Sequence, residues 1–196
     1  MTQKQTQPVS IDDIVLAKRF QFGANEVKTN PKNGIYALDA LSCYKNGLGD
    51  ENEKILAPWI SSLGKEVNAN NGVMPQWGVG VFDQYASMYL RQLPEATIGD
   101  VAKANQKLGY KGYIPEALLT SDITLKDLSE KLEGLKEKEE LSEEEKELAK
   151  FGQAYQILEK AGYDSLRYGV DTKQIEDQLN YLYSKPKEEN PGKGKK

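Results

Sequence analysis

The stretch VGVFDQYASMYLRQL, Val79 to Leu93, decides the fold class. Val79, Val81, Phe82, Tyr85, Ala86, Met88, Tyr89, Leu90 and Leu93 follow no two-residue alternation and cover most of a helical circumference. Only a narrow polar strip is left, with Asp83, Ser87 and Arg91 at steps of four and Gln84 beside them. A helix apolar nearly all round belongs inside a domain, so this spacing predicts a central helix over 79–93.

Outward from that helix, start signals recur along the chain. A capping side chain followed three residues later by an acid or amide satisfies two orphan backbone donors reciprocally. Such pairs occur at Ser10/Asp13, Asp50/Glu53, Thr97/Asp100, Thr124/Asp127, Ser142/Glu145 and Asp171/Gln174. Most precede an apolar stripe at helical spacing. Glycines mark the expected stops at Gly23, Gly47, Gly109 and Gly162. The predicted helices are 10–22, 35–46, 50–67, 79–93, 97–108, 124–138, 142–161 and 171–184, with a short turn of helix at Pro115. Pro58 splits the third, because proline removes a donor and clashes with the preceding turn.

From Thr124 to Ala161 the stripes Leu125–Leu128–Leu132–Leu135 and Leu148–Phe151–Tyr155–Leu158 flank the polar run KEKEELSEEEKE. That pattern predicts an antiparallel helical hairpin with a charged tip. The expected fold is therefore all-α: a multi-helix bundle of about eight helices with a projecting helical hairpin and disordered termini. The expected division is a tail over 1–9, a helical core over 10–122, the hairpin and last helix over 123–184 packed on that core, and a Lys-rich tail over 185–196.

Composition narrows the chemistry. The 196 residues contain no histidine and a single cysteine, Cys43. A Ser-His-Asp or Cys-His arrangement is impossible without an imidazole, and His-ligated or Cys-rich metal centres go with it. One thiol makes no internal disulfide, which suits a reducing, cytoplasmic setting. No apolar run approaches the roughly 18 residues of a membrane span, and the start MTQKQTQPVS lacks the apolar core of a secretory signal. No cofactor, metal or membrane partner is expected.

Nucleotide and calcium loops fail on spacing. Gly78-Val-Gly80 lacks a third glycine and a preceding strand, and DENEK at 50–54 has no glycine at the turn position. The stretches 97–109 and 123–132 imitate helix-turn-helix openings, but neither is followed by the basic helix that must meet phosphate. A net charge of −4 with arginine only at Arg19, Arg91 and Arg167 points the same way. The tail lysines Lys185, Lys187, Lys193, Lys195 and Lys196 leave a nucleic-acid-packaging role as a third reading.

Two regions carry candidate sites. In NANNGVMPQWGVGVFDQY, 68–85, turn formers and Trp77 lead into the central helix. There Trp77, Tyr85 and Tyr89 could stack on a planar or sugar ligand, with Asp83 and Arg91 as polar partners. The alternative is that Trp77 plugs the core. Asp39 and Asp83, both among apolar residues, are the remaining acid–base pair, or else ion-paired to Lys45, Lys103 or Arg91. The second region is the hairpin's acidic face, Glu139, Glu140, Glu143, Glu144 and Glu147, a candidate protein-binding surface alongside the hairpin's apolar seam. Tyrosines follow glycines in KLGYKGY, 107–113, and KAGYDSLRY, 160–168; both are expected as helix stops rather than a duplicated site. The reading drawn from all this is a non-enzymatic helical interaction, assembly or structural subunit. Its alternative is a ligand- or glycan-binding helical domain, which includes a carboxylate-dependent hydrolase.

Overall fold

The computed structural model describes residues 9–36, 61–91, 93–167 and 172–183. The helices are α1 (Ile11–Thr29), α2 (61–69), α3 (Gln76–Leu90), α4 (Ile98–Lys107), α5 (Glu116–Leu119), α6 (Leu125–Glu133), α7 (Glu143–Arg167) and α8 (Thr172–Tyr183). Turns of 3-10 helix lie at Pro31–Asn33 and Leu93–Glu95, and no strand forms among the described residues. The architecture is an all-α multi-helix bundle. The predicted tails, Pro58, Cys43, Asp39 and the Asp50/Glu53 cap fall outside the described residues, apart from Val9 at the end of the first tail.

The caps act as their chemistry requires. Ser10 and Asp13 close a full capping box, and Ser142 and Glu145 exchange backbone and side-chain bonds at 3.0 and 3.3 Å. Thr97 accepts from the Asp100 N–H and Thr124 from the Asp127 N–H. These two capping threonines also face each other across an isolated antiparallel bridge. Around it the Ile98 N–H donates to the Ile123 carbonyl at 2.8 Å and the Leu125 N–H to the Ala96 carbonyl at 2.9 Å. Helices α4 and α6 therefore start from one clasped point.

Several predicted ends move. Helix α1 runs through Gly23, which is buried, and stops at Asn30, whose extended φ of −151° is what a residue before proline adopts. Pro31, not Gly23, is the breaker. Helix α3 starts at Gln76, three residues early, with the Pro75 carbonyl accepting from Gly78 and Val79. Helix α6 ends at Glu133, short of the expected 138, and α7 continues past Gly162 to Arg167. Gly109, at φ +114°, is a left-handed stop. Gly162 instead gives room to Asn105, since a Cβ there would stand 2.3 Å from the Asn105 Oδ1. The two Gly-Tyr echoes thus do different jobs, and only the first is a helix stop.

One apolar cluster joins α4, α5, α6, α7 and α8 through Ile98, Ala102, Leu118, Leu128, Leu158 and Leu179. The hairpin's apolar seam is spent in it. Leu132 lies against Gly152, and Lys138 meets Glu145 nearer the turn, as antiparallel pairing about one turn requires. A second cluster ties Ile14 of α1 to Val101 and Ala104 of α4. Helix α1 also lies along α3, with Phe20 stacked on Phe82 at 5.1 Å. Ile14, Leu16, Ala17, Phe20, Phe22 and Val27 are all buried, so α1 is enclosed nearly all round. Its polar residues hid this, because Lys18 and Glu26 are buried with partners.

Candidate functional site

Trp77 sits in the first turn of α3, 39% exposed, and its indole N–H donates to Glu66 on α2 at 3.0 Å. The ring is neither a core plug nor loose. Two turns on, Asp83 is 43% exposed and its Oδ1 lies 2.5 Å from the Lys28 ammonium of α1. Of the expected partners, Lys45 lies outside the described residues. Arg91 is eight residues further, about 12 Å along the axis, and Lys103 is 3.6 Å from Asp100. Asp83 is thus a half-buried carboxylate ion-paired to the neighbouring helix. Tyr85 and Tyr89 occupy backbone positions on α3, with side chains outside those described. Arg91 is exposed just past the helix end.

At the hairpin tip Glu139 and Glu140 are exposed in the turn, and Glu144 is exposed on α7. Glu143 pairs with Lys146 at 2.6 Å and Glu147 with Lys150 at 2.9 Å. Glu145 accepts from Lys138 and from the Ser142 N–H, and these bonds, in that order, hold its carboxyl below the usual range. Two of the five face glutamates, Glu143 and Glu147, are thus paired with lysines of their own helix.

The densest polar cluster was not anticipated. Lys18 of α1 is 2% exposed, and its ammonium lies 2.5 Å from Glu159 Oε2 of α7. The Tyr155 hydroxyl donates to the same oxygen at 2.9 Å. The Tyr163 hydroxyl donates to the Gln21 Oε1, and its ring centroid stands 5.3 Å from the Lys18 ammonium. Burial draws the Lys18 pKa down against the raising pull of Glu159. Burial also pushes the Tyr155 and Tyr163 hydroxyls up, with the Glu159 charge adding to it. A lysine of lowered pKa beside a carboxylate has the composition of a proton-transfer pair. Glu159 is 27% exposed, and Tyr155, Tyr163 and Gln21 are half-buried beside it. The cluster joins α1 to α7 through the buried Lys18. Its single sequence signal was a lysine four residues after Ile14, on the buried face of α1.

An open concavity lies where α8 crosses α7. Gln153, Ile157, Gln178, Tyr181 and Leu182 line a groove of about 470 Å³. It runs on past Gln156, Lys160 and Asp164 through a further 410 Å³ or so. The walls are anchored. Leu179 is fully buried in the core cluster, Lys150 caps the Tyr183 ring at 5.0 Å, and Glu176 accepts from the Tyr113 N–H at 2.8 Å. At the rim, Tyr181 is 84% exposed.

Among the described residues no group of histidine, cysteine or carboxylate side chains has the makings of a metal site. No described helix is long and apolar enough to cross a membrane. Compared with protein-family models, with curated proteins and with solved structures, the chain matches none.

Proposed function

We propose that this chain is a non-enzymatic helical interaction subunit of the cytoplasm, acting through protein–protein contacts on the face where α7 and α8 cross. The observation that carries the reading is Tyr181, 84% exposed beside an anchored groove. A large aromatic with one apolar face and one hydroxyl gains most when a partner covers it, which is why such residues concentrate at interface centres. Of the two acid–base candidates, Asp83 links α3 to α1 and Asp39 lies outside the described residues. The hairpin contributes this face through α7 rather than through its tip, where Glu143, Glu145 and Glu147 pair with lysines.

Native mass spectrometry of the chain isolated gently from its own host tests the reading. A multiple of the chain mass, or the chain with a second protein, is the expected outcome. Loss of that species in Tyr181→Ala assigns it to this face. A bare chain at every concentration overturns the proposal.

A ligand-binding reading keeps one supporting observation, the partly exposed Trp77 ring held by Glu66. It predicts that Trp77→Ala lowers binding to a glycan array without lowering the melting temperature. Normal melting with unchanged binding removes it.

A further inference from the structure

Resting on that interaction reading, we infer that the α7–α8 face binds a second copy of this chain in a two-fold symmetric pair. An isologous interface needs a surface complementary to itself, because the same patch serves both subunits. This face has three properties of that kind. It carries a projection and a concavity side by side: Tyr181 stands out at the rim of a groove floored by Ile157 and Leu182. Its polar lining is amide, with Gln153, Gln156 and Gln178. A primary amide both donates and accepts, so amide facing amide is satisfied without a different partner. Finally, it holds both charge signs, Lys160 with Asp164 and Asp177.

The hairpin tip differs in its charge excess. Between Lys136 and Glu147 it carries seven glutamates against three lysines, so two tips repel more strongly than two α7–α8 faces, whose lining holds one lysine and two aspartates. Tyr181 then fills the partner's groove and acts as the central aromatic of a small interface. The buried half of α8, anchored by Leu179, need not move for this to happen.

Sedimentation of the full chain over a broad concentration range tests the inference. The expected result is a reversible dimer that Tyr181→Asp weakens at least tenfold. Because Tyr181 is exposed, its replacement does not threaten the fold, and an unchanged thermal melt verifies that. Two further variants, Gln153→Glu/Gln178→Glu and Gln153→Lys/Gln178→Lys, should each be monomeric alone and associate when mixed. Mutual rescue of that kind is specific to a face that meets itself. A wild-type dimer indifferent to all three variants overturns this assignment and leaves the interaction reading standing on another surface. A wild-type monomer throughout also overturns it. The interaction reading then falls too if the chain from its host is bare, and survives if a different protein is bound in a Tyr181-dependent way.

Discussion

Lys18 and Glu159, 141 residues apart in the chain, meet with Nζ 2.5 Å from Oε2 and join the first helix to the longest described one. The lysine is buried, while the carboxylate keeps an edge in water and also accepts from Tyr155. A buried charge is tolerated only while its partner remains. The pair therefore behaves as a rivet whose halves are worth little separately.

Glu159→Gln should cost about 2–4 kcal/mol of unfolding free energy, since it strands the Lys18 ammonium among apolar groups. Lys18→Met with Glu159→Leu should cost less than the single change, because no uncompensated charge is left. Urea denaturation of the three chains measures both. A single-variant loss under about 1 kcal/mol would mean that α1 and α7 are held by packing alone.

Alkali should unfold the protein through its buried tyrosines. Tyr110, 1% exposed, has its hydroxyl pushed up to about 12, by burial first and then by Glu176. Tyr155 and Tyr163 are raised as well. A folded pKa above the unfolded 10 leaves the native state holding the extra proton. That stability is complete below pH 10 and drains as pH climbs through the folded values. Tyr110 alone loses roughly 1.4 kcal/mol per pH unit over that span. Lys18 works in the opposite direction: its folded pKa is lowered from 10.5, so its burial becomes less costly as pH rises towards that value. Three tyrosines against one lysine give a net fall. Tyrosinate absorbance and circular dichroism should change together above pH 10. Tyrosinate appearing without loss of helix contradicts the burial of these rings.

Two glycines should respond in opposite ways to alanine. A Cβ at Gly162 meets the Asn105 side chain at 2.3 Å, and Asn105 is itself enclosed and bonded to the Leu158 carbonyl. Gly162→Ala should destabilise by about 1–3 kcal/mol through overpacking. Nothing lies within 4 Å of a Cβ at Gly80, inside α3. Gly80→Ala should therefore stabilise by about 0.5–1 kcal/mol, by removing freedom from the unfolded chain. Thermal melts of both variants suffice, and equal shifts in one direction would refute the contrast.

The capping threonines are also exposed to test. Thr124→Ala removes the acceptor for the Asp127 N–H and should cost about 1 kcal/mol. Thr124→Ser keeps the hydroxyl and should retain most of that stability. A serine variant as weak as the alanine one would place the effect in the bridge to Thr97 rather than in the cap.

What could be read from the residues was local. The capping pairs at Ser10, Thr97, Thr124 and Ser142 located four helix starts correctly, because a cap and its recipient lie three residues apart. Glycines misled, because one residue type serves both to stop a helix and to admit a neighbour. Gly109 did the first and Gly162 the second, and only the presence of Asn105, far away in sequence, decides between them. The same limit applied to chemistry. Asp83 was recognised as a carboxylate in an apolar helix, but its partner, Lys28, lies on another helix. Lys18 is buried only because α7, far along the chain, covers it. Tyr181 and the glutamines of α7 and α8 form a face only once the two helices cross, and no motif spans that gap.

The clasp between Thr97 and Thr124 has a kinetic consequence. It closes a loop of a few dozen residues, while the Lys18–Glu159 contact spans 141. Loop-closure entropy grows with the logarithm of length, so the long closure costs about 1–2 kcal/mol more when formed directly from the open chain. Helices α4 and α6, started from one point and capped there, are the natural place for assembly to begin, with α1 arriving last. Weakening the clasp should slow refolding, whereas weakening the Lys18 rivet should hasten unfolding and leave the refolding rate nearly untouched.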